Sequence, residues 1–102
     1  MIITGNLDQF LEKYCIIAGK QYKVILPDNM NMDYENAHPI LPIFKIHGTL
    51  EDPRSIKATR HETSIQYLNN SNFKDVLLEI FRKYTVLFVG TSFSDIDINL
   101  LL

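Results

Sequence analysis

Apolar and polar positions alternate along the chain in a way that predicts strands and helices in turn. Met1–Thr4 is a short apolar run with two isoleucines and predicts a buried strand, broken by Gly5-Asn6. Leu7, Phe10, Leu11, Tyr14, Cys15 and Ala18 then recur at helical spacing, which predicts a helix with one apolar face. Gly19 is its natural stop. Tyr22–Leu26 predicts a second strand, ended by Pro27. Strand, helix and strand with short joints form a βαβ unit, and such units make parallel sheets.

The polar stretch Asp28–Leu41 predicts a long loop, and Pro42–Ile46 a third strand ending at His47-Gly48. Glu51-Asp52-Pro53 predicts a turn, Ser55–Thr59 a short strand and Arg60–Leu68 a helix. A further helix follows Ser71 or Asn72, with Phe73, Val76, Leu77, Ile80, Phe81 and Tyr84 on one face. Thr85–Val89 is nearly all apolar, as in a parallel strand covered on both sides. After Gly90-Thr91-Ser92, Ser94 caps a last helix with Asp95 and Asp97 in its first turn. The fold class expected is α/β, with a parallel sheet and flanking helices.

Composition narrows the function. The 102 residues suffice for one small domain, and 46% hydrophobic content supports a packed core. Net charge is −2 and the basic residues are scattered, which argues against direct nucleic-acid binding. The apolar runs are too short to span a bilayer and no secretory leader is visible, so the expected location is cytoplasmic. One cysteine, Cys15, and three dispersed histidines offer no closed zinc site.

Open parallel sheets bind ligands at the carboxyl ends of their strands. Three predicted strands end in Thr4-Gly5-Asn6-Leu7-Asp8, His47-Gly48 and Gly90-Thr91-Ser92. These positions therefore rank above the other polar residues. Plainer readings stand beside each. Asn6 caps a helix and Asp8 offsets its dipole, His47 is a satisfied strand-end histidine, and Gly90-Thr91-Ser92 is an ordinary turn. Asp95 and Asp97 read as helix capping rather than a metal site. His38 and His61 have no evident partner, and Lys45 is expected at a solvated edge rather than on a phosphate.

Taken in order, Thr4-Gly5-Asn6-Leu7-Asp8, Lys45-Ile46-His47-Gly48-Thr49-Leu50 and Phe88–Asp97 resemble the motifs of the sirtuin-like domain family. The nearest branch is the zinc-free type found in bacterial defence proteins, where the last motif often continues as Ser-x-Ser-Asp-x-Asp, as in Ser92–Asp97. The resemblance covers nearly the whole chain. It implies a Rossmann-like fold that binds NAD⁺ and cleaves the nicotinamide–ribose bond. Asn6 would orient the ribose or the attacking water, and His47 would take the proton. Asp8 would contact the nicotinamide amide or brace its pocket, Thr4 and Gly48 would border the cofactor, and Gly90, Thr91 and Ser92 would approach its adenosine half. No zinc is expected, because Thr49–Val89 holds no cysteine.

The family also opens with a strand and a glycine-rich phosphate loop, and no Gly-x-Gly occurs in this sequence. The chain starts on the strand before Thr4 and closes on Leu100-Leu101-Leu102 within an apolar helix. The expectation is thus a single partial domain, the distal part of a sirtuin-like domain lacking that first unit and inactive by itself. It would pair with a missing N-terminal half, a partner chain or a second copy of itself. The competing readings are a sensor that binds NAD⁺ or ADP-ribose without turnover, and an inactive truncated fragment.

Overall fold

Three short segments carry enough apolar and β-branched residues to form a sheet. They are β1 (Ile2–Thr4), β2 (Tyr22–Ile25) and β3 (Leu41–Lys45). The computed structural model describes residues 1–29, 40–57, 59–69 and 71–90. The sheet order is β1-β3-β2, and both pairings are parallel. Ile2, Ile3 and Thr4 lie opposite Ile43, Phe44 and Lys45, while Tyr22 to Ile25 lie opposite Leu41 to Phe44. The central strand is the most buried, with Ile43 and Phe44 fully out of solvent. Each such side chain contributes about 1.5–3 kcal/mol of burial. Pro42 sits at the start of this strand, opposite Lys23 and one residue before the β1 ladder begins. The expected α/β class with a Rossmann-like parallel sheet is thus what the chain forms.

The helix α1 (Phe10–Ile17) crosses from β1 towards β2. Its first turn is capped by Asp8, whose Oδ1 accepts the Phe10 N–H at 3.0 Å. It stops at Gly19, which takes φ +65°. The Lys20 N–H then donates to the Cys15 carbonyl at 2.8 Å, and the Gly19 N–H to that of Ile16 at 3.2 Å. This closure satisfies carbonyls that the helix end leaves open. The buried face differs from the expected one. Cys15 is buried, but so is Glu12, while Phe10 and Tyr14 point to solvent. Glu12 is turned inward by a cation on β3, described below, and a buried cation without its anion would cost more than two wet rings.

The chain divides into two compact units, Met1–Lys57 and Ala58–Leu102. In the second, Thr59 and Glu62 form a reciprocal cap. The Glu62 N–H donates to Thr59 Oγ1 at 3.1 Å, and the Thr59 N–H to Glu62 Oε2 at 3.0 Å. That cap opens α2 (Arg60–Asn69), which packs on α3 (Ser71–Lys83). Phe73, Val76, Leu77 and Ile80 bury the expected face of α3.

Two sequence expectations need correction. Ser55 ends a 3₁₀ turn over Pro53–Ser55 and residues 56–57 are in no strand, where Ser55–Thr59 was expected to form a short one. Residues 85–89, expected as a strand, are in no strand or helix. A strand needs a neighbour's N–H and C=O groups, and among the described residues of this unit no strand supplies them. Leu87 and Val89 are accordingly more than three-quarters exposed, and Phe88 stacks on Phe81 with centroids 6.1 Å apart. Most of the Asp28–Leu41 loop and the helix expected after Ser94 lie outside the described residues. Among those described, no helix is long and apolar enough to cross a membrane.

Candidate functional site

Parallel pairing brings two strand ends level. Thr4 lies opposite Lys45, and the Ile46 N–H donates to the Thr4 carbonyl at 3.1 Å. Two residues further on each chain come Asn6 and His47. The two ends touch at Gly5, where an added Cβ would stand 2.9 Å from His47 Cδ2 and 3.5 Å from Nε2. Only a residue without a side chain lets the imidazole lie against the end of β1. His47 is half-buried and Asn6 exposed. The Thr4 hydroxyl accepts the Asn6 N–H at 3.1 Å and so shapes the turn that presents Asn6. Asp8 Oδ1 is engaged in capping α1.

The loop after His47 is closed on itself. Its centre is Ser55, whose hydroxyl donates to the Asp52 carbonyl at 2.6 Å and accepts the Thr49 N–H at 3.0 Å. The Lys57 N–H donates to the His47 carbonyl at 2.9 Å, and the Leu50 N–H to that of Leu7 at 3.1 Å. Histidine is thereby fixed through its own backbone. Gly48 has φ +94°, and an added Cβ would fall 2.3 Å from the Ser55 carbonyl oxygen. Both the backbone conformation and the space demand glycine. Gly48→Ala is expected to destabilise this unit by about 2–3 kcal/mol, read from its urea unfolding midpoint. An unchanged midpoint would contradict this packing.

Lys45 departs from expectation. Far from a solvated edge, it is fully buried. Its Nζ donates to Glu12 Oε1 at 2.6 Å, to Thr49 Oγ1 at 3.3 Å and to the Asp8 carbonyl. An ammonium has three N–H donors, and here three acceptors take them. The reason is position: β3 is the central strand and its last three residues, Ile43, Phe44 and Lys45, are buried, so a cation there must be paired. That rule was the available signal, a lysine between Phe44 and Ile46. Glu12 gave none, because a glutamate in an amphipathic helix normally faces water.

Of the remaining expected site residues, Gly90, Thr91 and Ser92, the structure describes Gly90 alone. Gly90 is exposed and belongs to the second unit. Thr91, Ser92, Asp95 and Asp97 lie outside the described residues. Among those described, no group of three or more His, Cys, Asp or Glu side chains could hold a metal ion.

No curated protein and no solved structure matches the chain. One family model does, over residues 1–102, and its description is SIR2-like domain, a family associated in general with NAD. That match spans both strand-end motifs and the Gly90-Thr91-Ser92 segment, so the order of motifs and the family model agree. The chain belongs to the SIR2-like domain family.

Proposed function

We propose that this domain hydrolyses NAD⁺ at the nicotinamide–ribose bond. The observation that carries the reading is the apposition of the Asn6 turn and the His47 ring across Gly5 at two neighbouring strand ends. In the step proposed, the bond between ribose C1′ and the nicotinamide nitrogen breaks and its electron pair leaves with nicotinamide. Nicotinamide departs neutral, so no strong general acid is required. Water adds at C1′, and its proton passes to His47 and then to solvent. His47 suits that role because imidazole titrates near neutrality. Asn6 is uncharged, so its amide orients the water or a ribose hydroxyl without competing for the proton. Oriented dipoles at the strand ends stabilise the cation that develops on the ribose. Thr4 and Asp8 shape this turn, and Gly48, Gly90, Thr91 and Ser92 are the remaining positions proposed to border NAD⁺, on the family pattern. No zinc takes part in this scheme.

The setting we propose is cytoplasmic, in bacterial antiphage defence, on family resemblance alone. The test is to supply the protein with a glycine-rich phosphate-binding unit of the family, fused or as a partner chain, incubate it with NAD⁺ and quantify nicotinamide and ADP-ribose, which should form one for one; the chain alone should release little or none. Asn6→Ala should slow this release about tenfold or more through a misplaced nucleophile. NAD⁺ that binds but stays intact would instead identify a sensing module.

A further inference from the structure

We propose that Lys45 is a positioning residue that locks the Asn6 turn to the His47 strand end. The proposal rests on the reading of the site given above. Lys45 stands two residues before His47, and Asp8 two residues after Asn6. The Lys45 ammonium grips the Asp8 carbonyl, so a single side chain ties the two catalytic segments together from below. Its other partners lie on either side of the site. Glu12 lies in the first turn of the helix that follows Asn6, and Thr49 follows His47 and Gly48.

Stability alone does not account for this arrangement. A buried ion pair is generally replaceable by apolar side chains of similar volume without loss of stability. This one is also imperfect, since Glu12 Oε2 is buried with no hydrogen-bond partner among the described residues. What an apolar pair would not supply is direction: a charged donor aimed at one main-chain carbonyl and one hydroxyl. Buried ionic groups are best attested where they fix register, and here the register fixed is that of Asn6 against His47. The geometry also excludes Lys45 from touching a substrate phosphate, since all its donors are engaged inside.

The experiment compares the wild-type protein with the double variant Glu12→Leu/Lys45→Met. The variant removes both charges and fills their space. It should fold, with a melting temperature within about 5 °C of wild type. Its kcat for nicotinamide release should fall about 10–100-fold, with KM for NAD⁺ changed less than about threefold. Hydrogen exchange gives a readout independent of turnover. The Leu50 amide, bonded to the Leu7 carbonyl within the Asn6 segment, should exchange about tenfold faster or more. The Ile46 amide, bonded to β1, should be unchanged. Glu12→Gln retains an acceptor oxygen for Lys45 and should keep both kcat and Leu50 protection. A double variant with wild-type kcat and wild-type Leu50 exchange would overturn the proposal. Failure of the double variant to fold would also overturn it, because the pair would then hold the fold and not the turn. Both proteins are assayed with the glycine-rich phosphate-binding unit supplied; if the wild-type protein then releases no nicotinamide, the hydrolase reading fails, and the exchange data still decide whether Lys45 holds the turn.

Discussion

In the domain supplied with a glycine-rich phosphate-binding unit, replacing His47 by alanine is expected to lower nicotinamide release by about 10²–10⁴-fold, the range for a lost acid–base group. NAD⁺ affinity should change far less. The ring is the only part of His47 removed, and the loop that carries it is held by main-chain bonds. Its carbonyl accepts from Lys57, and Gly48 and Thr49 pack on Ser55 whatever side chain stands at position 47. The variant should therefore keep the wild-type circular dichroism spectrum and unfolding midpoint. Steady-state kinetics separate the cases: a loss confined to kcat marks proton transfer, while a loss confined to KM marks contact with the bound substrate. A variant with full turnover would remove His47 from the mechanism.

The second large effect is on stability. Lys45→Met alone should destabilise the protein by about 3–5 kcal/mol, because it leaves the Glu12 carboxylate buried beside an apolar side chain. That is a sizeable share of the roughly 5–15 kcal/mol by which domains are stable. Adding Glu12→Leu should recover most of the loss, although each substitution separately is harmful. Urea unfolding of both single variants and the double variant measures the coupling directly. A loss under about 1 kcal/mol for Lys45→Met would mean that the ammonium reaches water and the pair is not closed.

Much of the sheet unit was legible in the sequence. The runs Met1–Thr4, Tyr22–Leu26 and Pro42–Ile46 gave three strands within a residue or so at each end, and Gly19 marked the helix stop. Local signals sufficed there, because strand apolarity and a glycine stop depend on near neighbours. The Lys45–Glu12 pair was not legible, since its members are 33 positions apart and each reads as a surface charge by itself. Nor was the buried side of α1, because helical spacing showed an apolar stripe but not which stripe would face the sheet. Thr85–Val89 misled for the opposite reason. Apolarity shows that a segment avoids water, but a strand also requires a partner ladder, and that lies outside the segment's own sequence. Of the candidate site, the strand-end residues Asn6 and His47 are legible by position, whereas Gly5, which lets the His47 ring lie against the end of β1, reads in the sequence as a strand breaker.

Pro42 has an effect beyond its own place in β3. The Leu41 N–H points to β2, donating to the Gln21 carbonyl at 2.9 Å, so alternation turns the nitrogen of residue 42 towards the β1 side. Ile46, of the same parity, does donate to β1. Proline has no hydrogen to give. β1 is only three residues long, and sliding it two places towards the start of β3 would keep every side chain on its proper face. Hydrophobic patterning therefore does not forbid that slip. It would, however, require residue 42 to donate a ladder bond that proline lacks. The mispaired sheet is thus selected against during folding, in one of the two directions that would take Asn6 out of step with His47. A residue at the far end of the strand thereby helps to decide which two segments lie level at the other.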